Sequence, residues 1–149
     1  NLGRRIAGAF GALLSTNYDD NKLYLFEGQL PAEETVERLE KELAGREIPV
    51  FAKFDHAQNA KDAGLELRPT IVLVFGSPKV GTGLRQADQS ISLELPLRIS
   101  IWEDEAGSTW LAFPRIPRMA AEYGLEKHPV VGKMERLMEE LVRKAGSVY

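Results

Sequence analysis

The chain has 149 residues, which fits one domain of ordinary size and leaves no room for two full cores. Hydrophobic residues make up 44% and charged residues 28%, the composition of a globule and not of a disordered chain. The net charge of −3 and the lack of any Lys or Arg run argue against a nucleic-acid binder, and the absence of cysteine excludes disulfides, thiolate catalysis and Cys-based zinc or iron–sulfur sites.

The chain starts with Asn1, as expected of a processed terminus or a fragment. Arg4-Arg5 then precede the apolar run Ile6–Leu14, which is too short to cross a hydrocarbon core needing about 20 residues. Two readings stay open: a short helix or arm that packs on the domain or a neighbour, and the remnant of an export or membrane-surface segment. Ile6, Phe10, Leu13 and Leu14 are its candidate partner-binding residues. The polar turn formers Asn17–Asn21 close it off, so residues 1–21 form an arm and linker and 22–149 a single domain.

Lys22–Glu27 alternates as a first strand, with Leu23 and Leu25 on one face and Tyr24 and Phe26 on the other. Pro31 suits the first turn of a helix, and Glu33 and Glu34 favour its positive end. Val36, Leu39 and Leu43 recur at helical spacing, and Gly45 supplies the stop. Pro49–Phe54 reads as a second strand, followed by a short helix that Asp55 caps and Gly64 closes. Pro69–Phe75 is apolar on both faces, which predicts a central strand covered on both sides. Gly76–Gly83 reads as a glycine-rich loop, and Leu84–Asp88 as a helical turn. Leu97–Glu103 sets Leu97, Ile99 and Ile101 against Arg98, Ser100 and Trp102. A turn over Asp104–Ser108, with Gly107 at positive φ, leads into the partner strand Thr109–Phe113. Ile116–Tyr123 is a short helix, and Val130–Ala145 a long one with Met134, Leu137, Met138, Leu141 and Ala145 on one face. The order β-α-β-α-β-β-β-α-α predicts an α+β fold, a largely antiparallel (mixed) sheet with helices packed on it.

The chain resembles the "domain of unknown function 302" proteins of bacteria and archaea. Three stretches carry the resemblance: Phe54-Asp55-His56-Ala57 through Gly64 to Thr70, Phe75 to Thr82, and Leu95-Pro96-Leu97 running into Trp102–Gly107. It covers roughly residues 24–145 in the expected order. The resemblance implies a compact α+β domain, often homodimeric, without an established activity, and it implies export in many members. A cell-envelope location is therefore favoured over a cytoplasmic one. Ser77 departs from the Asn common at its position, and Pro114–Arg118 replaces a stretch usually containing Asn-Asp-Pro. The segment before Asn21 has no counterpart.

Chemistry-bearing candidates are few. Gly76, Ser77, Lys79, Gly81, Thr82 and Arg85 could present backbone N–H groups and positive charge to a small ligand, or merely shape a tight connection. The stretch is not a P-loop, because Thr82 stands where the nucleotide-binding Lys would follow Gly81. His56 beside Asp55 has the types for acid–base work, but only if it shares a pocket with Gly81. Glu103, Asp104 and Glu105 read as a solvated hairpin tip, Trp102 and Trp110 as a cross-strand pair, and Arg115 and Arg118 as a solvated corner. No metal spacing and no cofactor motif is recognised. The leading expectation is a non-enzymatic binding or assembly domain that self-associates or docks on a partner. Two alternatives stand beside it: an accessory subunit of a larger, membrane-associated complex anchored by the arm, and a small-molecule enzyme using His56 and the Gly76–Gly83 segment.

Overall fold

The computed structural model describes residues 22–148, so the arm residues Ile6, Phe10, Leu13 and Leu14 lie outside the described residues. The elements run β1 (Leu23–Gly28), α1 (Ala32–Gly45), β2 (Val50–Asp55), α2 (His56–Asp62), β3 (Thr70–Phe75), α3 (Pro78–Ala87), a 3-10 turn (Gln89–Leu93), β4 (Leu97–Glu103), β5 (Thr109–Pro114), α4 (Ile116–Ala121) and α5 (Pro129–Gly146). The strands form one sheet in the order β1-β5-β4-β3-β2, and every neighbouring pair is antiparallel. The α+β class and element order are as the sequence predicts, and among the described residues the sheet contains no parallel pair.

Strand alternation divides the sheet into two unlike faces. Ile71, Leu73 and Phe75 of β3, Leu97, Ile99 and Ile101 of β4, and Leu111 and Phe113 of β5 point to the helices and are buried. They share one core with Val36, Leu39 and Leu43 of α1 and Met134, Met138 and Leu141 of α5. Leu84, Ile91, Ile116 and Met119 of the shorter helices enter the same core. On β1 it is Tyr24 and Phe26 that pack against this core; Tyr24 stacks on Phe113 at 4.9 Å.

The other face carries the alternate residues. The registers place Leu25, Ala112, Ser100, Val72 and Phe54 in one row across all five strands. A second row aligns Glu27, Trp110, Trp102 and Thr70, so the two tryptophans are direct cross-strand partners as predicted. No described helix buries a side chain on this face; the buried helix residues belong to the core on the opposite side. β3 is accordingly not the two-sided central strand its composition suggests. It lies one strand from the edge, and Val72 and Val74 are half-buried.

Three local expectations are corrected. The stop at Gly45 is displaced: α1 includes Gly45, and Glu47 takes the left-handed turn conformation at φ 59°. The glycine-rich loop is mostly helix, since α3 begins at Pro78 directly after Ser77. Proline suits that first position because its missing N–H would have no partner there, and packing of Leu84 into the core offsets the low helix propensity of Gly81 and Gly83. The carboxylates Glu103 and Asp104 are not a free solvated tip. Glu103 accepts the Ala32 N–H, while Asp104 accepts the N–H groups of Ala106, Ser108 and the Trp110 indole, each at 2.9 Å. The turn itself is as expected, with Gly107 at φ 86°.

Candidate functional site

α3 leaves the end of β3 and crosses beside the start of β4, and the angle between them encloses a cavity of about 270 Å³. Its walls are mainly apolar: Phe51 from β2, Leu95, Pro96 and Leu97 leading into β4, Val80 of α3 and Met134 of α5. Gly76, Ser77, Gly81 and Arg85 complete it. A bulge between Val50 and Ala52 shifts the register of β2 around Phe51, whose ring comes within 4.0 Å of where a Gly76 Cβ would stand.

Arg85 is the single charged residue of the lining, and it is half-buried. Its Nε donates to the Ser92 hydroxyl at 3.1 Å. Its terminal nitrogen lies over Gly81, where a Cβ would come within 2.8 Å of it, so glycine makes room for the guanidinium against the helix. The acids nearest in sequence are engaged elsewhere. Asp88 accepts the Ser90 hydroxyl and N–H, which hold its carboxyl below its ordinary range, and Glu94 accepts the Tyr123 hydroxyl at 2.9 Å, which pushes the phenol up.

Of the seven ligand-site candidates, four line this cavity: Gly76, Ser77, Gly81 and Arg85. Lys79 and Thr82 are exposed residues of α3 that do not line it, and the Thr82 hydroxyl is turned to the Pro78 carbonyl. His56 is elsewhere. β2 and β3 are antiparallel, so Gly76 follows the strand end beside Val50 while His56 follows the opposite end of β2. There His56 stacks at 6.1 Å on Phe54, and Asp55 caps α2 by accepting the Gln58 N–H at 2.9 Å, as expected of an N-cap. Phe51, Pro96 and Met134 are not legible in the sequence as lining residues, because three distant segments bring them together.

A wider, open groove of about 1130 Å³ lies between α1 and the β2–α2 edge. Its rim is charged, and Lys53 pairs with Glu40 at 3.3 Å. Arg115 is not part of a solvated corner: it pairs with Glu135 at 3.2 Å and lies over the Tyr24 ring. Among the described residues no three His, Asp or Glu side chains gather as a metal cluster, and no helix is long and apolar enough to cross a membrane.

A five-stranded antiparallel sheet with helices on one face and a small apolar cavity beside α3 defines a compact α+β domain. The chain belongs to the family described as "Domain of unknown function DUF302", whose profile matches residues 26–141. The crystal structure of an uncharacterized conserved DUF302 protein from Bacillus stearothermophilus has the same fold. Its TM-score is 0.74 at 17% identity, over 83% of this chain and 97% of that one. Curated relatives include proteins named fluoride-specific ion channel FluC 1 in Brucella suis and Brucella abortus, each 40% identical over 92 residues. That stretch is 62% of this chain and 36% and 34% of theirs, so the likeness spans about a third of the curated relatives' length.

Proposed function

We propose that this chain is a non-enzymatic assembly domain that self-associates through the helix-free face of its sheet. The observation that carries this reading is the row Leu25, Ala112, Ser100, Val72 and Phe54, with Trp102 and Trp110 alongside, on a face with no described helix over it. A sheet with one apolar face uncovered is a stable layer only when something packs on it, and a second sheet at about 10 Å is a common solution. Five strands of about six residues offer on the order of 500 Å² of projected face. That is comparable to the ~800 Å² per partner of a standard interface. β2 extends it to the sheet edge, where Phe54 is exposed. The separation of His56 from the Gly81 cavity removes the pairing on which the enzyme alternative depends.

The test is the mass of the full chain across a range of concentrations, measured by analytical ultracentrifugation, with Val72→Lys as the variant. A dimer that Val72→Lys converts to a folded monomer supports the reading. A wild-type monomer at ~100 μM, well above the range of specific interfaces, sinks it.

One observation favours a second reading, an accessory subunit of a membrane-associated assembly in the cell envelope held by the Ile6–Leu14 arm. It is the 92-residue likeness to proteins named as fluoride-specific ion channels. Native mass spectrometry of gently purified material, with and without residues 1–16, tests it: a heteromeric mass lost with the arm supports it, and a mass unaffected by truncation removes it.

A further inference from the structure

The cavity beside α3 contains one cation and no anion. Its lining includes no Asp or Glu, and among the described residues no carboxylate pairs with Arg85 and its one hydrogen bond is the Nε contact to Ser92. That bond engages Nε and leaves the terminal nitrogens, one of them beside Gly81, without an acceptor among the described residues. We propose that the cavity binds a small monocarboxylic acid, with its carboxylate on Arg85 and its apolar body against Phe51, Pro96 and Leu97.

Charge, shape and volume each narrow the ligand. A guanidinium beside apolar walls, without an acid of its own, gains most from a carboxylate that accepts two parallel N–H bonds. The first turn of α3, Ser77 to Gly81, borders the same cavity and adds the positive end of a ten-residue helix. Apolar contact from β2, β4 and α5 favours an alkyl or aryl body and disfavours a sugar or an inorganic anion. A cavity of about 270 Å³ equals roughly nine water volumes, the size of benzoate or hexanoate. Gly81 belongs to the device, because a side chain there would push the guanidinium off the helix.

The site is distinct from the helix-free face, so its test is independent of self-association. Benzoate and hexanoate are titrated into the ¹⁵N-labelled full chain, with benzyl alcohol and 1-hexanol as neutral counterparts of the same shape. The expected result is shifts centred on the Gly76, Gly81 and Leu97 amides, with the acids bound ~10-fold more tightly than the alcohols. Arg85→Gln is expected to erase that preference and leave alcohol binding in place. Val80→Glu, at an exposed position of the lining, is the second variant should Arg85→Gln fail to fold, and it is expected to weaken the acids more than the alcohols. Equal affinity for acids and alcohols, shifts confined to residues outside the cavity, or no shift at ~10 mM ligand would each overturn the proposal.

Discussion

The Glu103 carboxylate accepts the backbone N–H of Ala32 at 2.9 Å across 71 positions of sequence. Pro31 occupies the cap position of α1 and offers no side-chain acceptor, so the end of β4 supplies one. The same contact places a negative charge at the positive end of α1 and locks that helix to the sheet. Glu103→Ala is therefore expected to destabilise the protein by ~1 kcal/mol, and Glu103→Gln by less because an acceptor oxygen remains. Urea unfolding of both variants checks the order, which a purely solvated carboxylate would not produce.

That contact also marks the limit of what the sequence makes legible. The periodicity of Val36, Leu39, Leu43 and of Met134, Met138, Leu141 identifies α1 and α5, because each helix must bury one stripe. Asp104–Ser108 reads as a turn from local chemistry alone. The role of Glu103 is invisible, since nothing near it in sequence records a partner 71 residues away. The helix over Pro78–Ala87 is hidden for another reason: Gly81 and Gly83 look like loop residues, and tertiary packing through Leu84 decides the matter. In β3 the run Ile71–Val74 suggests burial on both faces, whereas one of those faces is the helix-free one. For the site, the glycines and Arg85 are visible as a group, and the apolar walls are not.

Burial raises the Glu135 carboxyl above its ordinary range, helped by hydrogen bonding and repulsion from Glu139. The Ile116 N–H and Arg115 oppose this without reversing it. A folded state with a raised carboxyl pKa holds the proton more tightly than the unfolded chain. Its contribution is fully present below the unfolded pKa and is lost as pH rises through the folded one. Glu135→Gln keeps an acceptor for Ile116 and cannot ionise. Its stability relative to the parent should thus improve as pH rises from acid toward neutral, and thermal melts at several pH values give the slope. An unchanging difference would show that the Ile116 bond and the Arg115 ion pair cancel the burial, and a difference that falls with pH that they outweigh it.

Glu47 holds φ 59° without being glycine, and its N–H bonds the Ala44 carbonyl at 3.0 Å while Ile48 returns to Leu43 at 2.9 Å. The conformation is imposed by the need to turn from α1 into β2, and a Cβ there costs roughly 1 kcal/mol. Glu47→Gly is expected to raise stability by about 0.5–1 kcal/mol, measured by chemical denaturation, despite glycine's greater freedom in the unfolded chain.

Two glycines in helices should respond in opposite ways to alanine. At Gly146 the last turn of α5 meets β1 so closely that a Cβ would lie 2.8 Å from the Phe26 ring and 3.0 Å from Leu111. The Gly146 carbonyl also accepts the Gln29 N–H at 2.7 Å, which prevents the helix end from moving outward. Gly146→Ala must displace a packed ring and is expected to cost ~1–3 kcal/mol. Gly45, in the last turn of α1, has nothing within 4 Å of the place a methyl group would take and no positive φ. Gly45→Ala should therefore stabilise by up to ~1 kcal/mol through helix propensity alone. Parallel urea titrations of the two variants decide the point, because propensity without packing predicts a gain at both positions, and only a close approach of α5 to β1 predicts a loss at Gly146.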